Sequence, residues 1–316
     1  MSVLSKAYMH DEAAAFAHVE SIIWPDGPVC PHCGVVDSAY RLTGVRTKPS
    51  AKHPEGKERH GLWKCRECRK QFTVRKGTIF EDSHIEMHKW LQAIHLMVSS
   101  KKGISAHQLH RVLEITHKSA WFMAHRIREA MRSDTSVDFG AGGGTVEVDE
   151  TFIGNEFKKS KTARGPAHKM KLLTLVDRSS RKAKSIVVDD LKKDTLYPIL
   201  RENIAKEAVV YTDEASWYKK LNGEFSRHDF TRHGAGEYVR GDVHTNTIEG
   251  YFSIFKRGMK GVYQHCAKKH LHRYAAEFEF RYNNRVANGV DDLERASVAL
   301  SGIVGKRVLY RDSLGA

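Results

Sequence analysis

Cys30-Pro-His-Cys33 and Cys65-Arg-Glu-Cys68 constrain this chain more than any other feature. A CxxC turn brings two sulfurs within reach of one ion, and Zn(II) takes four such ligands tetrahedrally without redox chemistry. Two such knuckles, with short β-prone stretches such as FTVRKGTIF beside them, read as a zinc ribbon at about 28–76. A closed four-sulfur site leaves no open position, so one structural Zn2+ is expected. Cys33 and Cys65 are separated by 31 residues, and the polar loop Thr47–Gly61 absorbs that length at little entropic cost. A redox dithiol or buried free thiols are the competing readings, and each needs only one pair. His32, His53 and His60 are substitute ligands that four cysteines make unnecessary. Cys266 stands alone and reads as a packing residue.

The cysteine count of five is too low and too uneven for a disulfide scaffold, and fits a reducing cytosol. With 316 residues the chain has room for two or three domains. An apolar share of 41% supports a proper core and argues against global disorder. Fifty-two basic against 38 acidic side chains give a formal charge of +14, which points to a polyanionic partner such as nucleic acid, or simply to solubility. No apolar run is long enough to span a membrane. His10, Asp11 and Glu12 stand where an export signal needs apolar residues, so a cytoplasmic protein is expected.

Residues 1–82 read as a short helix followed by the ribbon. Trp90, Leu91, Ile94 and Met97 then recur at helical spacing from Met87 onward. Gly103 ends that helix, Ser105 can cap a second and Thr116 a third. Three short helices with tight links predict a helix-turn-helix DNA-binding region at 83–135, with a plain helical connector as the bland alternative. Gly140, Gly142, Gly143 and Gly144 mark a flexible boundary. Beyond it the texture is α/β over 140–300. TVEVDETFI, KLLTLVDRS, KAKSIVVDD and EAVVYTD read as strands, and helices run from about Thr195, Asn246 and Lys268. Residues 301–316 are a tail.

Three acids stand out in that region. Val146 and Val148 alternate with Glu147 and Asp149, so Glu147 and Asp149 share a strand face and Glu150 points away. Asp213 closes a strand, where α/β ligand sites gather. Glu249 follows with 35 residues between the two, in the first turn of a helix capped by Thr245 or Thr247. Carboxylates from separate elements make sense together around hard Mg2+ or Mn2+ ions, and two such ions support in-line displacement at phosphorus. Taken singly, Asp213 and Glu249 have structural readings as a helix cap and a dipole partner. Asp177, Asp189 and Asp190 read as turn residues, with Asp189 or Asp190 as a fallback ligand.

VEVDETFIG, YTDEASWY and HTNTIEGYFSIFKRGMKGVYQH, after CPHCG and KCRECRKQFTVRKGTIF, resemble the bacterial insertion-sequence DDE transposases with an N-terminal zinc ribbon, the ISXO2-like transposase family. The resemblance spans nearly the whole chain. It implies a ribonuclease-H-like mixed sheet with flanking helices, catalytic roles and Mg2+ ligation for Asp149, Asp213 and Glu249, and a homo-oligomer, at least a dimer, when two DNA ends are synapsed. In some relatives an Asn is the third ligand, which brings in Asn246 on the same helical face as Glu249. His244 is similar to a motif histidine and is read as an auxiliary residue. The implied partners are double-stranded transposon ends and target DNA.

Several basic residues are candidate DNA contacts. Lys256, Arg257 and Lys260 follow Glu249 and can track phosphates. Lys158 and Lys159 lie in the loop after Asp149, and Lys118 and Arg126 on the third short helix. Phe252 and Phe255 read as core. A metal-dependent nuclease without strand transfer, and a non-enzymatic zinc-ribbon regulator, are the rival functions.

Overall fold

The structure is a computed structural model that describes residues 2–51, 53–133, 138–156, 165–219 and 221–308. Contacts divide the chain into two units. One takes Met1–Ser100, Ile104–Met131 and Asp291–Ala316; the other takes Lys101–Gly103 and Arg132–Val290.

In the first unit, α1 (Glu12–Ile23) starts where the Asp11 side chain accepts from Ala14 N at 2.7 Å. Strands β1 (Ala39–Leu42), β2 (Leu62–Cys65) and β3 (Gln71–Phe72) pair antiparallel in that order. The β-prone stretch FTVRKGTIF supplies only the end of β3. After Phe72 the chain turns, because Thr78 Oγ1 donates to Arg75 O and Glu81 accepts from Gly77 N, and such local bonds compete with a strand ladder. The turns sink Ile79 and Phe80 fully into the core.

The three expected helices form: α2 (Met87–Ser99), α3 (Ala106–Leu113) and α4 (His117–Met131). Ser105 accepts from Gln108 N and Thr116 from Ser119 N, both at 3.1 Å. α2 is capped from a distance instead: Glu12 accepts from Met87 N at 2.9 Å and His88 N at 3.2 Å. Residues 291–300, which the sequence groups with 140–300, pack in this unit. On the helix Asp292–Ser301, buried Arg295 donates to Val98 O of α2 at 3.1 Å, and Ala299 and Leu300 are buried beside it.

The second unit opens on the glycine run. It is a pinned turn rather than a loose boundary: Gly140 N donates to Asp177 Oδ2 at 3.0 Å and Gly144 N to Gly140 O at 2.9 Å. Gly140 has φ +74, and a Cβ there would stand 2.5 Å from that of Ala208. The chain continues through β4 (Thr145–Ile153), β5 (Met170–Asp177), β6 (Lys182–Val188), α5 (Lys193–Asn203), β7 (Val209–Thr212), β8 (Arg227–Phe230), α6 (Asn246–Gly258) and α7 (Lys268–Asn283).

The sheet order is β6-β5-β4-β7-β8. β6, β5 and β4 pair antiparallel; β4, β7 and β8 pair parallel, which makes a mixed sheet. Alternation along the strands fills two cores. Val146, Val148, Leu173 and Leu175 pack with Leu196 and Leu200 of α5. Leu172 and Val176 pack with Phe252 and Phe255 of α6 and Leu271 of α7, so both phenylalanines are core as expected. Among the described residues, no helix is long and apolar enough to cross a membrane.

Candidate functional site

Strand register brings the first two acids together. The last parallel pair between β4 and β7 is Glu147 with Tyr211. Two residues further along each strand lie Asp149 and Asp213, side by side beyond the end of β7. Among the described residues, carboxylate oxygens of Asp149, Glu150 and Asp213 all come within 4.8 Å of one another. Glu150 was expected to point away. β7 stops at Thr212, so no neighbouring strand fills that edge of β4, and Glu150 reaches the cluster there. The Tyr218 hydroxyl holds it, donating to Glu150 Oε2 at 2.6 Å.

The acids are half-buried and crowd one another. Burial, then the charges of Glu150 and Asp213, push the Asp149 carboxyl up to about 8. Burial, opposed by the Tyr218 hydrogen bond and aided by the charge of Asp213, pushes Glu150 up to about 7. Burial and the facing Glu150 raise Tyr218 well above the ordinary phenol range, so it remains a donor. A compact set of hard oxygen donors that repel one another suits a divalent cation, which relieves the repulsion.

Glu249 stands on the exposed first turn of α6. It lies outside the 4.8 Å grouping, yet its charge adds to the rise at Asp149. Thr245, the residue before α6, makes no cap bond; its hydroxyl donates to Glu249 Oε1 at 3.3 Å. The cap comes instead from fully buried Glu147, whose Oε2 accepts from Ile248 N at 2.9 Å. Asn246 is exposed at the helix start, and its N donates to His244 Nδ1 at 3.3 Å. His244 is half-buried and contacts Arg178. Asp177 and Asp190 are turn residues as read from the sequence. Asp177 accepts from Ser179 N and Asp190 from Lys192 N, while Asp189 pairs with Lys268 at 2.6 Å.

The four cysteines form the second grouping. Cys30 Sγ lies 3.6 Å from Cys68 Sγ, and Cys33 Sγ 3.7 Å from Cys65 Sγ. A tetrahedron with Zn–S near 2.3 Å has S···S edges of about 3.8 Å. The Cys68 backbone N–H, opposed by burial and helped by the Glu67 N–H, draws the Cys65 thiol down to about 7. Thiols so arranged fit a structural zinc.

The basic residues divide. Lys256, Arg257 and Lys260 are exposed and line one open cleft with Ser253 and Gly261. Lys118 is exposed at the start of α4. Arg126, expected at the DNA face, is 6% exposed and donates to Ile79 O at 2.8 Å and Glu81 O at 2.7 Å. Its guanidinium is a cross-brace inside the first unit, because the turns after β3 leave two buried carbonyls to satisfy. Lys158 and Lys159 lie outside the described residues.

A four-thiol module and a mixed sheet with clustered acids define a protein built around two kinds of metal-ligand set. Residues 142–283 match the ISXO2-like transposase domain and residues 10–71 the transposase zinc-ribbon domain. The chain belongs to the ISXO2-like transposase family. It is 25% identical over 292 residues to an uncharacterized protein in transposable element ISH50 of Halobacterium salinarum, covering 87% of this chain and 92% of that one. It is 30% identical over 104 residues to an uncharacterized transposase-like protein of Haemophilus influenzae, covering 33% of this chain and 82% of that one. The simian T-cell lymphotropic virus intasome in complex with PP2A regulatory subunit B56 gamma aligns at TM-score 0.28 and 12% identity. That alignment covers 54% of this chain and 67% of the other, and is too slight to argue from.

Proposed function

We propose that the protein is the DDE transposase of a bacterial insertion sequence. In this reading it binds the terminal inverted repeats of its element, cleaves DNA to a free 3′-hydroxyl, and directs that hydroxyl onto target DNA at the same site. The observation that carries the proposal is the convergence of Asp149, Glu150 and Asp213 where β7 ends beside the middle of β4, within the matched transposase domain.

Asp149 and Asp213 ligate from adjacent strands and Glu249 from α6, with Asn246 as the neighbour able to share that third place. These residues would hold two Mg2+ or Mn2+ ions, which would supply activation of an attacking oxygen and charge stabilisation of the leaving one for in-line displacement at phosphorus. Glu150, held by Tyr218, is a fourth acid at the same site. The carboxylates act as ligands and not as nucleophiles, so no covalent protein–DNA intermediate arises. The fold reading that goes with this chemistry is a ribonuclease-H-like domain over 140–290. The order of the mixed sheet and the three-layer packing support it.

Zn2+ on Cys30, Cys33, Cys65 and Cys68 has a structural role, and α2–α4 serve as a helix-turn-helix that carries Lys118 to DNA. Lys256, Arg257 and Lys260 engage phosphates beside the reacting strand. Synapsis of two ends requires at least a dimer, working in the cytoplasm on nucleoid DNA. A cleavage and strand-transfer assay on end-containing DNA, with and without Mg2+, tests the whole. Products that vanish in Asp149→Asn while DNA binding persists are the expected result. Cleavage without joining would favour a nuclease, and DNA processing unchanged in Asp149→Asn would sink the assignment.

A further inference from the structure

We infer that Glu147 and Arg178 form a positioning clamp that sets where the first turn of α6, and with it Glu249 and Asn246, stands relative to Asp149. The inference rests on the proposed ligand roles of Asp149 and Glu249.

Glu147 is two residues before Asp149 on β4 and has no exposed surface. An unpaired carboxylate in that position would be strongly unfavourable. One of its oxygens accepts from Arg178 Nε at 2.6 Å, and the other from Ile248 N at 2.9 Å. Arg178 follows β5 directly. It spends the rest of its fork on the approach to α6: Nη1 donates to Asp242 O and Nη2 to His244 O, each at 2.8 Å. Its plane lies over Tyr211 at 5.1 Å, and Tyr211 is the β7 residue paired with Glu147. A single ion pair therefore ties β4, the end of β5, β7 and both sides of the α6 N-terminus.

A helix start needs only a local acceptor such as Thr245. Here the Thr245 hydroxyl turns to Glu249, and the cap arrives from the strand that carries Asp149. Asp149 is two residues from Glu147 along a rigid strand, and Glu249 is next to Ile248. The clamp thus couples the one acid that sits on a helix to those that sit on the sheet. Groups that orient ligands in this way typically change metal affinity by about 10–100-fold when altered.

The test uses the full-length, zinc-loaded chain and reads Mn(II) binding by electron paramagnetic resonance, with circular dichroism to check folding. Arg178→Lys keeps a charge against Glu147 but replaces a three-point fork with one flexible donor, so the fold should stand while the geometry loosens. We expect Glu249→Gln and Arg178→Lys each to weaken Mn(II) binding by about tenfold. Adding Arg178→Lys to Glu249→Gln should cause no further loss, because both act through the same ligand. Glu147→Gln should behave as Arg178→Lys does; if it does not fold, Arg178→Gln takes its place. Losses that multiply in the double variant, or wild-type binding in Arg178→Lys while Asp149→Asn has lost the ion, overturn the clamp alone. Binding unchanged by Asp149→Asn overturns the reading of the site itself, and the clamp with it.

Discussion

The Tyr218 hydroxyl donates to Glu150 Oε2 at 2.6 Å from a ring that is 1% exposed. The bond favours the ionised carboxylate against burial and the nearby Asp213, which push the proton on. Tyr218→Phe removes that help without changing the packed shape. Glu150 should then hold its proton to higher pH, and a divalent cation must displace that proton to bind. Mn(II) binding followed against pH should show its midpoint moving upward in Tyr218→Phe, by about one unit for a hydrogen bond of roughly 1–2 kcal/mol. An unmoved midpoint would place Glu150 outside the ion's reach.

The same acids make stability depend on pH. Asp149 and Glu150 have folded-state values raised to about 8 and about 7, above those of exposed carboxyls. Such groups bind protons more tightly in the folded state, so their contribution is fully present below the unfolded values near 4. It is lost as pH rises through 7 and 8. In Mg2+-free buffer the melting temperature of the second unit should fall across that window. Glu150→Gln should flatten the fall, and added Mn2+ should restore stability most at pH 8, by mass action. Calorimetry at pH 5, 6.5 and 8 checks all three.

Zinc removal should act on the other unit. Trp24 meets Trp63 and Phe72 edge-on, with ring centroids 6.3 and 5.8 Å away, and both tryptophans pack against the cysteine cluster. With β3 only two residues long, the sheet has little cross-strand bonding to hold it without the ion. Chelation, or Cys65→Ser, should release those indoles to solvent and shift tryptophan emission to the red. The cluster of Asp149, Glu150 and Asp213 should still bind Mn(II). Loss of both together would argue against separate roles for the two sites.

Local signals read well and distant ones did not. Ser105, Thr116 and the bounds of α6 follow from residues within one turn of each other. The caps on α2 and α6 come from Glu12 and Glu147, 75 and 101 residues away in the chain. No local pattern encodes such partners. Alternation correctly put Asp149 on the face opposite Val148, and by the same rule it sent Glu150 away. Glu150 does keep the Val148 face, since its partner Tyr218 packs in the same core as Val148; it reaches Asp149 and Asp213 because β7 ends at Thr212 and leaves that edge of β4 open. A pair of adjacent acids inside an apolar strand was the available sign that both had a use. Arg126 was misread for a related reason. A basic residue on a helix looks solvated until the carbonyls it serves, 45 and 47 residues earlier, are in view.

Arg126 and the exposed lysines should therefore separate cleanly under mutation. Arg126→Gln leaves Ile79 O and Glu81 O without their donor inside a packed core, which should cost roughly 2–4 kcal/mol of stability. That loss appears as a lower urea midpoint. Lys118→Ala, Lys256→Ala and Lys260→Ala touch exposed side chains and should leave the midpoint nearly unchanged. Their effect belongs to DNA binding. Each phosphate contact removed should lower the slope of log K against log salt by about 0.9. Arg126→Gln, measured at a temperature where it remains folded, should keep the wild-type slope. A slope reduced by Arg126→Gln in folded protein would return that residue to the DNA surface. A slope untouched by Lys256→Ala and Lys260→Ala together would move the DNA path off the end of α6 and the turn that follows it.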